Sequence, residues 1–208
     1  MFIKKLVSKK EECKTLNQYT KKTTKIMKPT EELIYEHKAI TSMLNIMSNI
    51  SNSIKDKKVF YTNDVEKILD FLSIYVEKCH RNKEENVFYP ALLLSKYPPE
   101  SIGLIINEHS IAKGCLDEIK CCIENFKLGS TFSGEMIADC MAKYVQLIYD
   151  HIQKEENDYF PLANKALSED AQTEISKQFK LINDEFVGLD IHTRYDELLK
   201  LLESKYLS

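Results

Sequence analysis

Two copies of one histidine–glutamate motif organise this sequence of 208 residues. The motif His-x-x-Lys-Glu-Glu-Asn begins at His80 and again at His151, and a Glu-His pair precedes each copy and contributes His37 and His109. The separation from His37 to His109 matches that from His80 to His151 to within a single position. Four of the five histidines therefore belong to a repeated pattern, which predicts an internal duplication with two similar halves.

The spacing within each copy predicts that a histidine and a glutamate share one face of a helix. Residues four apart on an α-helix are separated by about 40° around the axis. His80 therefore lies about one helical turn before Glu84 on the same face, and His151 lies in the same way before Glu155. From these positions, both side chains of a pair can bind the same ion. The second glutamate of each copy lies about 140° from its histidine and is predicted to point elsewhere.

Two imidazoles and one carboxylate per half form a metal-ligand set. Burying six polar groups without partners would cost several kcal/mol, so a core that contains them needs a metal. Carboxylates can bridge two ions, and mixed nitrogen and oxygen ligands suit iron or manganese, with zinc also possible. The alternative is a duplicated pattern that has lost its metal. The predicted ligands are His37, His80, Glu84, His109, His151 and Glu155.

Composition indicates a globular protein of the cytoplasm. The net charge of −3 is too small to indicate binding to nucleic acid or to a membrane surface. No apolar run approaches the roughly 20 residues that cross a bilayer, and the N-terminus lacks the pattern of a secretory signal. The six cysteines show no C-x-x-C pair, which favours reduced thiols. Cys79, beside His80, is either a small buried apolar residue or a functional thiol.

Hydrophobic periodicity predicts an all-α fold, an up-down-up-down four-helix bundle with further helical structure at the C-terminus. With five glycines and five prolines, the chain is poor in turn-forming residues. We expect a flexible N-terminal arm over residues 1–28, a four-helix metal-binding domain over 29–167, and a C-terminal helical extension over 168–208 that packs on the bundle. The predicted helices span residues 30–52, 62–94, 101–128 and 134–167, followed by 169–206 with a break near Gly188.

The ligand pattern resembles the hemerythrin-like, or HHE cation-binding, family over roughly residues 29–166. The local context agrees as well, in Lys83-Glu84-Glu85 and in Lys154-Glu155-Glu156-Asn157-x-x-Phe160-Pro161. The resemblance implies two non-heme iron ions inside the bundle, joined by an oxo or hydroxo bridge. It also implies that the four histidines are terminal ligands and that the two glutamates bridge the ions.

The sequence departs from the oxygen-carrying hemerythrins, which have an additional histidine where this chain has Lys113. Their fourth-helix acid is an aspartate five residues after the histidine, whereas Glu155 follows His151 by four. The set is closer to the bacterial-type subgroup with four histidines and two glutamates. With one histidine fewer, an iron can keep an exchangeable position.

The resemblance implies a function in handling a small molecule, namely O2, hydrogen peroxide or NO, in oxidative or nitrosative stress defence. Whether the protein is an enzyme stays open, with a peroxidase-like or NO/O2-reducing oxidoreductase as the candidate. Its electron donor is unknown, we expect neither nucleic acid nor membrane as a partner, and the chain is a monomer or a homodimer. The alternatives are a non-catalytic oxygen or iron sensor or storage module and, ranked last, a reversible O2 carrier.

Three further residues are candidates for an extra ligand or for a supporting hydrogen bond to the site. His192 and Tyr195 lie in the C-terminal extension, which can cover an open end of the bundle. Tyr144 precedes His151 by seven residues and is predicted to point into the bundle. For each, ordinary packing is the alternative.

Overall fold

The computed structural model describes residues 27–58, 60–95, 98–130, 132–187 and 191–207. These residues form six helices and no strand. The first four are α1 (Pro29–Lys55), α2 (residues 62–94), α3 (Pro99–Lys127) and α4 (residues 133–166), and the last two are α5 (Glu169–Val187) and α6 (Ile191–Tyr206). The predicted helices match these bounds within a few residues.

Helices α1 to α4 form an up-down-up-down bundle, and α5 and α6 pack on its outside. The predicted all-α class and bundle architecture are confirmed. Helix α4 lies between α3 and α1, while α6 packs on α1 and α2. After α3 the chain turns at Gly129, whose φ of +95° is accessible to glycine at little cost. No helix in the described ranges is long and apolar enough to cross a membrane.

The predicted apolar stripes face the interior, with one exception. His37 lies among buried residues of α1, such as Leu33 and Ile40, as the three- and four-residue steps predict. The sequence pattern also places Leu104 on the inner face of α3, and that prediction is wrong. Leu104 is 68% exposed, while its neighbours Ile102 and Ile105 are buried.

Helices α2 and α4 contain π-helical segments at the repeated motifs. In α2 these are Leu72–His80 and Glu84–Phe88, and in α4 the segment is Glu155–Tyr159. Pro90 and Pro161 follow two of these segments closely, and a proline inside a helix removes one hydrogen bond to the fourth residue before it. The backbone N–H of the residue before each proline bonds instead to the fifth residue before it, the glutamate of the motif. This wider turn changes which side chains face the core.

The C-terminal helix α6 is fixed to α2 by polar contacts. Lys205 donates to Asp64 Oδ2 over 2.5 Å, and the Tyr206 hydroxyl donates to the same oxygen over 2.8 Å. The Tyr195 hydroxyl lies 3.1 Å from Asp70 Oδ2. The expected N-terminal arm lies almost entirely outside the described residues, and the proposed domain boundaries stay predictions.

Replacing Asp64 with Asn is expected to destabilise the fold by about 1 kcal/mol, because it removes a charged acceptor that is shared by Lys205 and Tyr206. Burial by itself would raise the pKa of Asp64, but these two donors lower it. This contribution is therefore present above the unfolded-state pKa, about 3.9, and is lost as the pH falls through the lower folded-state value. Urea unfolding as a function of pH measures both effects. Asp56→Asn is the control, because Asp56 pairs with the exposed Lys58, and an equal loss in both variants would contradict the prediction.

Candidate metal centre

Six buried side chains from four helices converge in the bundle interior. They form two groups that can each hold a metal ion, and within each group the ligand atoms lie within 4.8 Å of one another. The first group takes its histidines from α1 and α2, and the second from α3 and α4. Both groups contain Glu84 and Glu155. The structure thus brings together all six predicted ligands: His37, His80, Glu84, His109, His151 and Glu155.

The two shared glutamates lie between the histidine pairs, but they are oriented differently. Glu84 places Oε1 at 3.2 Å from His80 Nε2 and Oε2 at 3.4 Å from His109 Nε2. Glu155 places the single oxygen Oε2 at 3.2 Å from His37 Nε2 and at 3.4 Å from His151 Nε2. Each glutamate therefore faces one histidine from each group.

Several polar atoms of this cluster that would bind a metal have no hydrogen-bond partner among the described residues. Among the described residues, the buried side-chain atoms without a partner include His37 Nε2, both carboxylate oxygens of Glu84, and Glu155 Oε2. Leaving a buried acceptor unpaired costs about 1–3 kcal/mol, and more for a charged group. Carboxylate oxygens and imidazole nitrogens are ligands of iron, manganese and zinc. The residues present therefore fit a pair of metal ions.

Each histidine is oriented by a second glutamate outside the cluster. The Nδ1 atoms lie 2.8 to 3.1 Å from carboxylate oxygens. Such a contact fixes the ring and turns Nε2 towards the metal position. The four pairs are His37 with Glu156, His80 with Glu36, His109 with Glu85, and His151 with Glu108.

These outer glutamates are the residues that sequence reasoning missed. Glu85 and Glu156 do point away from the ion position, as the angular offset from their histidines predicts, but each reaches a histidine on another helix. The sequence pattern places a glutamate that precedes a histidine at solvent or against a neighbouring helix, and Glu36, which is only 3% exposed, contacts His80 on the neighbouring helix α2. A signal was available, since each outer glutamate adjoins a ligand candidate and recurs in both halves.

The carboxylates make the cluster a strong site for positive charge. Burial by itself would lower the pKa of His80, but Glu84 and Glu36 outweigh it and raise the pKa to about 10. Burial would likewise lower the pKa of His151, and here Glu155 and Glu108 raise it. The protons that these carboxylates attract occupy the place of a metal cation, so binding of a metal releases them.

One half of the supporting network is buried and the other is open to solvent. Lys83 Nζ donates to Glu36 and, over 2.8 Å, to Glu32, and its side chain is fully buried. Its counterpart Lys154 donates to Glu108 but is 46% exposed. Helix α5 causes the difference, because Phe179 places its ring 5.5 Å from Lys83 Nζ. The extension therefore breaks the symmetry of the duplicated halves.

A small cavity adjoins the cluster and is lined by residues of all four bundle helices. Its wall is mainly apolar, and the ligand candidates His80, Glu84, His109 and His151 open onto it. Glu77 and Arg81 line this cavity and also a groove on the outer surface. Arg81 donates to Glu77 and Glu85 over 2.7 Å each. The remaining lining residues are Ile40, Val76, Ala112, Ile148 and Ile152.

Two of the other candidates from the sequence, Tyr195 and Tyr144, are buried. Tyr195 packs against Phe71 and bonds to Asp70, which precedes His80 by ten residues along α2. Tyr144 is fully buried, as predicted, and its hydroxyl has no partner among the described residues.

The side chain of His192 lies outside the described residues. Cys79 is buried with its Sγ 3.7 Å from Asn183 Oδ1, and burial raises the pKa of its thiol to about 11. Lys113 lines the outer groove.

A helical bundle with a buried histidine–carboxylate cluster defines a class, the metal-binding helical bundles. The sequence profile of the hemerythrin HHE cation-binding domain matches residues 28–163, a range that contains all six ligand candidates. The match covers more than half of the chain, and the chain belongs to this family. Neither the curated proteins nor the solved structures provide a match.

Proposed function

We propose that this chain is a non-heme di-iron protein that binds or reduces O2, hydrogen peroxide or NO in defence against oxidative or nitrosative stress. The observation that carries the proposal is the pair of four-residue groups that share two buried carboxylates. The proposed iron ligands are His37, His80, Glu84, His109, His151 and Glu155.

Iron is favoured over zinc by the composition of the cluster. Among the described residues, the groups contain nitrogen and oxygen donors and no thiolate, and two shared carboxylates would hold two ions close together. When bound, a pair of iron ions supplies two electrons and Lewis acidity to a small ligand. Family membership supports the same assignment.

The protein's own residues orient the ligands and restrict access to the site. The outer glutamates contact Nδ1 of each histidine and fix the orientation of its ring. Nε2 of each imidazole can therefore bind a metal ion without rotation of the ring. The apolar wall formed by Ile40, Val76 and Ile148 suits a small uncharged molecule and excludes bulk water. Arg81 and Glu77, at the boundary with the outer groove, lie where such a molecule would enter.

Metal analysis with optical spectroscopy tests the proposal. Protein purified anaerobically with iron supplied is expected to contain two irons per chain and to develop oxo-bridge absorption on exposure to O2 or peroxide, which bleaches on reduction. Consumption of peroxide over many cycles with a reductant would support an enzyme, whereas a single cycle would exclude one. Zinc alone, or no metal, would overturn the di-iron assignment.

A non-catalytic sensor or storage module is the second candidate. The observation that favours it is the set of buried atoms without partners, since these make the fold around the cluster dependent on metal occupancy. A metal-dependent change in helical structure at low iron concentration, without peroxide turnover, would support this function instead.

Replacing Ala112 with Leu is expected to block binding of NO while the iron content stays unchanged. Ala112 is buried and lines the cavity, so a larger side chain fills the space beside the ions without removing a ligand. Optical titration with NO measures the effect, which should be a severalfold or greater loss of affinity. Ala138→Leu is the matched control, because Ala138 is equally buried but lies more than three helical turns before His151, about 20 Å along α4. Normal NO binding by Ala112→Leu would exclude this cavity as the binding site.

A further inference from the structure

Tyr89 and Phe160 occupy equivalent positions in the two halves of the site. Their separation in the chain equals that of His80 and His151, and each directly precedes a proline. The ring of Tyr89 stacks on His109 at 6.3 Å, and the ring of Phe160 stacks on His37 at 5.7 Å. The duplication thus places one aromatic ring against each metal group, but only one of the two rings carries a hydroxyl.

The hydroxyl of Tyr89 donates a hydrogen bond to Oε1 of Glu155. Both groups are fully buried, so no water competes for this contact. The other oxygen of Glu155, Oε2, has no hydrogen-bond partner among the described residues and faces His37 and His151. Glu155 therefore presents one free oxygen to the cluster.

Glu84 has no such donor among the described residues, and the equivalent side chain is Phe160, which carries no hydroxyl. Both of its oxygens are buried and without a hydrogen-bond partner in the described part of the chain. Oε1 faces His80 in one group and Oε2 faces His109 in the other. The two shared carboxylates thus differ in the number of oxygens that they offer, two for Glu84 and one for Glu155.

We propose that Tyr89 is a positioning residue that makes the two bridging carboxylates inequivalent by holding Oε1 of Glu155 away from the metal ions. The inference rests on the proposed function, since it requires a site that binds two ions. Glu84 would hold the two ions through both of its oxygens, and Glu155 would hold them through Oε2 alone. Because Tyr89 occupies Oε1 of Glu155, one coordination position would stay available for water or a small ligand.

A π turn explains why this residue reaches the cluster. On a regular α-helix, Tyr89 would lie about 140° from Glu84 and face away from the metal position. The π-helical segment Glu84–Phe88 ends with a bond from the Tyr89 N–H to the Glu84 carbonyl, which brings residue 89 over residue 84. Pro90 favours this turn, since it lacks the N–H that an α-helix needs there.

Cobalt substitution tests the inference, because cobalt(II) absorbs more strongly in the visible range when it has fewer ligands. The full chain is purified with Co²⁺ supplied in place of iron, and the cobalt content and visible absorption per ion are measured. Tyr89→Phe frees Oε1 of Glu155 and is expected to lower the absorption per cobalt severalfold at full loading. Phe160→Tyr places a second hydroxyl beside Glu84 and is expected to raise the absorption and weaken cobalt binding.

The double variant Tyr89→Phe/Phe160→Tyr moves the hydroxyl from one half to the other and should restore absorption near that of the natural protein. If both single variants take up two cobalt ions with unchanged spectra, Tyr89 acts only in packing and the inference is overturned. Failure of the natural protein to take up two ions would overturn the proposed function and the inference with it. Thermal melting of each variant identifies a folding defect. The rise in absorption per cobalt that is expected in Phe160→Tyr cannot arise from a loss of packing at Tyr89.

Discussion

Replacing Glu84 with Ala is expected to abolish stable metal binding in both positions of the cluster. Glu84 belongs to both ligand groups, and each of its oxygens faces a histidine of a different group. Removing it takes a carboxylate from both ions and leaves a buried cavity among polar atoms. Metal content after gel filtration measures the loss, and Glu155→Ala should behave in the same way.

The adjacent Glu85 provides the matched control. Glu85→Ala removes the partner of His109 Nδ1 but no atom of the ligand set, so the cluster keeps both carboxylates. Loss of such a supporting residue typically costs about 10–100-fold in metal affinity, which an excess of metal overcomes. Equal metal loss in Glu84→Ala and Glu85→Ala, with metal in excess, would show that the two glutamates do not have these separate roles.

Removal of metal by a chelator is expected to give the second large effect, a loss of several kcal/mol in the free energy of unfolding. In the part of the chain that the structure describes, at least four buried polar atoms of the cluster then remain without hydrogen-bond partners, and each costs about 1–3 kcal/mol. A bound metal stabilises the folded state by the free energy of its binding, which the unfolded chain does not gain. Thermal melting and circular dichroism, before and after chelation and again after iron is restored, measure the change.

Hydrogen exchange should locate the loss within the bundle. Protection is expected to fall in residues 80–90 and 151–161, which contain four of the six ligand candidates and two of the π-helical segments. The opposite end of the core, around Met47, Ile50 and Ile119, consists of buried apolar side chains and should keep its protection. The Glu84→Ala variant is the control, since it should already be less stable and should not respond further to the chelator. An apo protein with the melting temperature of the loaded protein would contradict the prediction.

The ligand candidates could be read from the sequence because they depend on local spacing and on the duplication. The step of four from His80 to Glu84 places both side chains on one helix face, and the apolar stripe around His37 fixes its direction. The near-identical spacing of the histidines in the two copies then implies that both halves contribute equally. Helix bounds follow from the same periodicity, and the error at Leu104 occurs in the first turns of α3, where the stripe is least constrained.

Contacts between helices could not be predicted from local spacing. The pairing of His37 with Glu156 joins residues 119 positions apart, and it depends on how α1 and α4 are rotated against each other. On a regular α-helix, with its step of about 100° per residue, Tyr89 would point away from the core. The π turn before Pro90 changes this direction and brings Tyr89 into the core. Helix periodicity describes a single regular helix, whereas these contacts arise from packing and from local irregularity.

The sequence by itself determined the helical bundle, the six residues that can hold metal and their arrangement in two equivalent halves. Only the tertiary structure decided how the halves differ. Helix α5 buries Lys83 and leaves Lys154 exposed, and the Tyr89 hydroxyl reaches Glu155 while, among the described residues, Glu84 has no such donor. The reason is physical: a repeated spacing specifies which side chains share a helix face, but the partner that each side chain meets depends on the packing of the whole chain.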